Sequence, residues 1–361
     1  MLNIFKNKKV IITGHTGFKG SWLTLWLLKL GAEVIGISKD IPTKPSHYLE
    51  LNIKNKIKDI VADVTDVETI KEIFYKEKPD FVFHLAAQAL VKKSYLNPIE
   101  TWNTNTFGTL TILESLRILD NKCISILITS DKCYDNVEWI WGYKETDKIG
   151  GPDPYSASKG AAEILIRSYY ESFLSKKSNI KIGIARAGNV IGGGDWALDR
   201  IIPDCMTAWS DNNIVKLRNP KSTRPWQHVL EPLGGYLIFA VNLYNSNRLN
   251  GEAFNFGPSI KKDYTVIDLV NKMSKYWKNI KWEDVSDNYN GPIESGLLKL
   301  NCDKANNLLN WEAIFDIDET ISYTTNWYKN FYENKVSTYD YTLTQIESYE
   351  KKFILLNNVR K

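Results

Sequence analysis

The sequence predicts an α/β fold: a doubly wound parallel sheet with a smaller, interleaved C-terminal part. Three observations carry that prediction. Short β-rich runs alternate with longer helical patterns through the first half, the signature of helices covering a parallel sheet. A glycine-rich turn follows directly on the first strand. Past Arg186 the regular pattern gives way to Gly- and Pro-punctuated stretches, Gly192-Gly193-Gly194-Asp195-Trp196 and Asn219-Pro220-Lys221-Ser222-Thr223-Arg224-Pro225-Trp226, which suit a second part made largely of loops. A chain of 361 residues can bury a large core in one or two domains.

Taken in order, Lys9 to Thr13 reads as a buried strand running into Gly14-His15-Thr16-Gly17-Phe18-Lys19-Gly20. Three glycines at this G-x-x-G-x-x-G spacing permit a tight turn, a close backbone approach to a pyrophosphate and close packing of the next helix on the strand. The apolar run Trp22 to Leu28 belongs to that helix. Further strands are expected at Glu33 to Ile37, Ile57 to Val61, Phe81 to Leu85, Ile124 to Thr129 and Ile180 to Arg186. Each tends to end on a polar or small residue, as at the carboxyl edge of an open α/β sheet, where ligands bind. Long helices are expected at Pro98 to Leu119 and Tyr155 to Phe173, and a helix from Val229 to Tyr244 should pack back on the sheet. The charged, helix-compatible tail near 332–361 has no role written in its sequence.

Composition excludes several classes. The net charge of +4 is spread over many lysines, with no cluster resembling a nucleic-acid-binding arm. Cys123, Cys133, Cys205 and Cys302 are far apart and only four histidines are present, so neither a metal site nor a disulfide framework is expected. Met1 to Lys6 lacks an apolar signal segment and no run is long enough to span a membrane, which predicts a soluble, cytoplasmic protein.

Chemistry concentrates at two places. Tyr155 and Lys159 stand four apart, on one helix face, so their heads can meet over one site. An ammonium there is expected to favour the phenolate and lower the tyrosine pKa toward neutrality. The strand Ile124 to Thr129 delivers Ser130, Asp131 and Lys132 to the ligand edge of the sheet. Ser130, Tyr155 and Lys159 compose a hydroxyl–tyrosine–lysine proton relay of nicotinamide chemistry, leaving Asp131 and Lys132 as an additional acid/base pair that a simple dehydrogenase does not need.

These features, with Asp63 after the third strand and His84-Leu85-Ala86-Ala87 after the fourth, resemble the extended short-chain dehydrogenase/reductase superfamily of nucleotide-sugar enzymes, from residue 1 to about 330. Longer motifs, Gly14 to Trp22, Thr129 to Tyr134, Gly151 to Ser156 and Ser222 to His228, resemble its CDP-glucose 4,6-dehydratase branch, in which Asp131-Lys132 stands where commoner sugar 4,6-dehydratases carry Asp-Glu. The resemblance implies a Rossmann-type, NAD-binding domain from 1–186 and about 229–248. It implies a nucleotide-sugar domain from about 187–228 and 249–330, and leaves 331–361 as a tail.

It further implies an NAD-dependent hydro-lyase of deoxysugar synthesis, of the kind that supplies lipopolysaccharide O-antigen. In that reaction Tyr155 takes the proton of the sugar's 4-hydroxyl, which Ser130 also holds. Hydride leaves C4, Asp131 protonates the departing 6-hydroxyl as the C5 hydrogen is removed, and hydride returns to C6. Lys159 would bind the nicotinamide ribose. Lys132 would act as a neutral base or as a cation that stabilises the enolate. The remaining readings are a 4,6-dehydratase or epimerase of another nucleotide sugar, and a non-catalytic dinucleotide sensor; Asp131-Lys132 argues against the epimerase and an intact relay against the sensor.

Cofactor contacts map onto Gly14, Thr16, Gly17, Phe18 and Gly20 for the pyrophosphate, and onto Asp63 and Val64 for the adenine edge. Leu85, Ala86 and Ala87 should line the groove. The second strand ends without a carboxylate for the ribose; Asp40 comes late and is either a ribose contact or a turn residue. Asn189 and Arg224 are the leading substrate contacts, followed by Asp195, Trp196, Arg200 and Gln88. Arg224 suits a diphosphate, or a structural ion pair. Trp139 and Trp141 either shield the site or sit in the core. The resemblance also implies a homodimer, built through the helices Pro98 to Leu119 and Tyr155 to Phe173, with the stripe Leu110, Leu113, Leu116 and Leu119 either in that seam or turned to the sheet.

Overall fold

The computed structural model describes residues 2–259, 263–278, 280–288 and 296–359. Seven parallel strands form the central sheet: β1 (Lys9–Thr13), β2 (Glu33–Ser38), β3 (Lys58–Val61), β4 (Phe81–His84), β5 (Cys123–Ile128), β6 (Ile180–Ala187) and β7 (Ala253–Phe256). Their spatial order is β7-β6-β5-β4-β1-β2-β3, so the winding reverses between β1 and β4 and opens a crevice at the carboxyl ends of those strands.

The period of two along each strand divides the core. Val10, Ile12, Phe81, Phe83, Ile124 and Ile126 face one side, where they join α1 (Phe18–Lys29) and a later helix. Ile11, Ile35, Ile37, Val82, Leu127 and Ile182 face the other. That second face is covered by α2 (Val67–Glu77), α3 (Gly108–Arg117) and α4 (Pro154–Ser172). The first is completed by α5 (Leu230–Asn245), α6 (Ile317–Glu333) and α7 (Thr338–Val359). Residues 20–27 of α1 are all buried, which accounts for a helix apolar on every side.

Several expectations are corrected. The helix expected from Pro98 to Leu119 is continuous but carries an insertion: Pro98–Trp102 is α-helical, Asn103–Phe107 forms a π-turn, and α3 follows directly. In the leucine stripe, Leu113, Leu116 and Leu119 are buried against the sheet, so the stripe is core. The boundary expected at about 249 moves, because β7 pairs in register with β6, Ala253 beside Ile184, and so belongs to the central sheet. That strand escaped detection because it is four residues long and carries a polar Asn255, whose side chain bonds the carbonyls of Tyr143 and Asn301. The tail is a docked helix: Glu350 accepts a hydrogen bond from Trp26 Nε1 at 2.7 Å and pairs with Lys29. Among the described residues, no helix is long and apolar enough to cross a membrane, and no group of three or more His, Cys, Asp or Glu is placed to hold a metal ion.

Candidate active site

The crevice is a cavity of about 1040 Å³ that brings together the catalytic, cofactor and substrate candidates selected from the sequence, from Gly14 to Arg224. That volume exceeds the upper end of ordinary small-molecule pockets and suits two extended ligands side by side.

At one end lies the glycine-rich turn. Gly14 has φ +76°, and a Cβ there would sit 2.7 Å from the backbone nitrogen of Ala86; a Cβ at Gly20 would lie 2.1 Å from the Gly14 carbonyl oxygen. The first turn of α1 has no side-chain cap, which leaves its amides facing the cavity beside Thr16, Gly17 and Phe18. This is a cradle that fits a dinucleotide diphosphate. Two side chains passed over in the sequence complete it. His15 bridges Ser38 Oγ at 3.0 Å and Asp59 Oδ1 at 3.0 Å, tying the turn to β2 and β3. Lys19 extends into the cavity wall within electrostatic reach of Arg200, Asp131, Lys159 and Asp195, and desolvation, aided by Arg200, brings its ammonium down to about 8.

β2 ends on Ser38, and the exposed Asp40 borders the cavity while its backbone oxygen accepts from Thr16 Oγ1 at 2.7 Å. Asp63 accepts from the backbone nitrogen and hydroxyl of Thr65, both at 2.9 Å, and faces Lys39 at 3.8 Å. Leu85, Ala86 and Ala87 form the floor, with the Leu85 amide donating to the Thr13 carbonyl and Ala86 to the Thr13 hydroxyl.

In the centre, β5 delivers Ser130, whose hydroxyl donates to Asp131 Oδ1 at 2.9 Å and accepts from the Lys132 amide at 3.2 Å. Asp131 is 3% exposed, and its Oδ2 has no hydrogen-bond partner. Burial raises its carboxyl above the ordinary range, against the pull of Lys132, Ser130 and Lys19. Tyr155 enters from the first turn of α4, which Asp153 caps by accepting from the amides of Tyr155 and Ser156 at 3.0 Å. Its phenol contradicts the expectation of a lowered pKa. Burial pushes it up to about 12, while the Ser130 hydroxyl and the Arg200 charge pull it down. Lys159 is itself buried and brought down to about 8 by desolvation, opposed by Glu163 one turn further along α4.

Substrate candidates divide by geometry. Asp195 Oδ2 binds Arg200 at 2.8 Å on the cavity wall. Arg224 lines the cavity with Nη1 on the Thr223 and Gly296 carbonyls, and Asn189 lines it on the same side. Gln88 is a brace: its amide nitrogen donates to the Leu90 carbonyl and Thr101 Oγ1, and its oxygen accepts from the Leu90 amide. Asn105, in the π-turn, holds that same loop by bonding the Gln88 backbone and then reaches Ser158 Oγ in α4 at 2.9 Å. The Trp196 ring borders the cavity but packs on Trp327, Tyr328 and Phe331. Trp139 and Trp141 are neither shield nor core; they are 40% and 68% exposed and lie outside the cavity wall. Arg218, paired with Asp199 at 2.8 Å, is a further cation on the wall that sequence reasoning passed over for want of a motif around it.

Fold and site define the class: an extended short-chain dehydrogenase/reductase, with a dinucleotide cradle at one end of the cavity and a serine–tyrosine–lysine set at its centre. Within that class the chain belongs to the GDP-mannose 4,6 dehydratase family, whose model matches residues 11–324. It is 44% identical over 332 residues to a CDP-glucose 4,6-dehydratase of Salmonella typhimurium, covering 91% of this chain and 92% of the relative. A CDP-paratose 2-epimerase of Salmonella typhi is 26% identical, over 74% of this chain and 84% of its own. Among solved structures, an epimerase from Methanothermobacter thermautotrophicus aligns with a TM-score of 0.77 and 24% identity, covering 92% and 95% of the two chains. A dTDP-glucose 4,6-dehydratase from Bacillus anthracis in complex with NAD aligns at 0.73 and 18%, covering 90% and 98%. At these identities the structural likeness is one of fold.

Proposed function

We propose that this chain is an NAD-dependent CDP-glucose 4,6-dehydratase that yields CDP-4-keto-6-deoxyglucose for deoxysugar synthesis. The observation that carries the reading is Asp131-Lys132 beside Ser130, Tyr155 and Lys159 in one cavity, in a chain 44% identical to a CDP-glucose 4,6-dehydratase. The cradle at Gly14, Thr16, Gly17 and Phe18 would hold NAD, which would supply the hydride acceptor for C4 and the hydride donor for C6.

The chain's own groups supply the proton transfers. Tyr155 accepts the 4-hydroxyl proton, with the Ser130 hydroxyl and the Arg200 charge opposing the burial that raises its phenol. Ser130 holds the 4-oxygen. The new ketone acidifies the C5 hydrogen, and Asp131 gives its proton to the leaving 6-hydroxyl. A buried carboxyl raised above its ordinary range is suited to that role. Lys132, half-buried at the same edge, serves the C5 carbanion as base or as cation. Arg224, Asn189 and the Arg200–Asp195 pair face the space left for the sugar diphosphate.

The protein works as a homodimer in the cytoplasm on this reading. Ile99, Phe107 and Ile164 are 76%, 55% and 62% exposed, on segments that pack side by side near the site, and a second copy would cover them. The four free cysteines suit a reducing compartment. Incubation with CDP-glucose, dTDP-glucose, UDP-glucose and GDP-mannose tests the function: loss of one water, giving a 4-keto-6-deoxy sugar, should be fastest with CDP-glucose. Faster turnover of another nucleotide sugar overturns the base assignment. Water loss from none of them overturns the dehydratase reading.

A further inference from the structure

α7 ends in contact with the cofactor cradle through a directed chain of buried hydrogen bonds. Trp327 Nε1 donates to Thr342 Oγ1 at 2.9 Å. Thr342 Oγ1 lies 3.2 Å from His47 Nε2, and His47 Nδ1 lies 2.8 Å from Ser21 Oγ. Ser21 Oγ in turn bonds the carbonyl of Phe18, the first residue of α1, at 2.9 Å. All four side chains are 2% exposed or less.

The proton positions follow from what each group can do. A carbonyl only accepts, so the single Ser21 proton goes to Phe18. Ser21 must then accept from His47, which fixes the proton of the ring on Nδ1 and leaves Nε2 as an acceptor. Thr342 accepts from the indole of Trp327 and therefore has its own proton free for His47 Nε2. Every donor and acceptor along the chain is used once. Burial brings the His47 imidazole down to about 3, which keeps it in the neutral form this pattern requires. The ring is also held by stacking on Trp22, whose indole nitrogen bonds the Gly193 carbonyl at 2.9 Å.

We propose that Thr342 is a positioning residue of the cofactor site, acting through His47 and Ser21 to fix the Phe18 carbonyl and with it the turn that receives the dinucleotide diphosphate. The proposal rests on the dinucleotide reading of that turn. Thr342 lies outside the residues matched by the family model, on a helix whose sequence discloses no role. Replacing it with valine keeps the shape but strands the Trp327 indole and the His47 Nε2 without partners in a dry interior.

The test is NAD affinity of the purified full chain, followed by quenching of tryptophan fluorescence, with Thr342→Val, Thr342→Ser and Tyr349→Phe beside wild type. Tyr349→Phe loosens the same helix at Glu231 without touching the chain. Thr342→Val should weaken NAD binding about fivefold or more, the loss of one buried hydrogen-bonded link, while Thr342→Ser and Tyr349→Phe bind within about twofold of wild type. Nitrogen NMR of the histidines should show His47 protonated on Nδ1 in wild type and shifted in the valine variant. Thr342→Ala, which cannot clash, takes the place of the valine if that protein does not fold. Wild-type affinity in the valine or alanine variant overturns the proposal, as does equal weakening by Tyr349→Phe. Failure of wild type itself to bind NAD would instead overturn the dinucleotide reading.

Discussion

Arg186 and Glu163 meet behind the site in two parallel hydrogen bonds of 2.9 Å, Nε to Oε1 and Nη2 to Oε2, with their side chains 3% and 1% exposed. The pair reaches forward: Thr129 donates to Glu163 Oε1 at 2.5 Å, and Glu163 supports the ammonium of Lys159. Removing one partner leaves a buried charge alone. Glu163→Gln should therefore destabilise the protein by about 3–5 kcal/mol, whereas Glu163→Leu with Arg186→Met should recover most of the loss. Denaturant melts of both variants beside wild type check this, and a double variant no better than the single one would contradict it.

Tyr155→Phe should reduce turnover at least about a thousandfold, since in the proposed reaction the phenol takes the 4-hydroxyl proton. NAD should still bind, by fluorescence quenching. More than about a tenth of the wild-type rate would sink the assignment.

Asp131→Asn should slow elimination selectively, because it keeps the Ser130 contact and removes the acid. Reduced cofactor should accumulate during turnover and be visible in the near ultraviolet. Normal product formation without that absorbance would reassign the acid.

Lys132→Glu separates base from cation, because a carboxylate can be the first and never the second. Dehydration should fall by about a hundredfold, roughly 2.7 kcal/mol, with oxidation at C4 less affected. Near wild-type rates with unchanged solvent-hydrogen exchange at C5 would mark this lysine as a bystander.

Glu231 predicts a pH dependence of stability. Burial raises its carboxyl from 4.5 to about 7, against hydrogen bonds from the Ile314 and Phe315 amides and the Tyr349 hydroxyl. A folded-state pKa above the unfolded value makes its contribution complete below about 4.5 and lost as pH rises through about 7. The span is about 3 kcal/mol. Melting curves from pH 4.5 to 8 should show this decline on top of other titrations, and Glu231→Gln should lack it; identical profiles would remove Glu231 as the cause.

The sheet and the polar set at its edge were legible because both obey local rules. Six of the strands were anticipated, five of them as apolar runs beside turn residues, and Ser130, Tyr155 and Lys159 announce themselves by position and spacing. β7 was not legible, since Ala253-Phe254-Asn255-Phe256 looks like any short loop until β6 lies beside it. The π-turn was hidden because its cause, Asn105 reaching to Gln88 and Ser158, is tertiary. Trp139 and Trp141 misled for the opposite reason: size suggested burial, and nothing in their neighbours revealed an exposed loop. The upward shift of Tyr155 likewise depends on how deeply its phenol is buried, which spacing alone does not disclose.

The bond from Trp26 to Glu350 joins residues 324 positions apart, so α1 is completed by a helix made long after it. Until α7 emerges, Trp26 has no acceptor and His47 no hydroxyl from Thr342. A nascent chain lacking it can pair its strands but holds an apolar helix open to solvent and chaperones. Docking of α7 is thus a late step in the folding of this chain, and fragments truncated before residue 338 should be cleared by proteolysis instead of persisting as half-active enzyme.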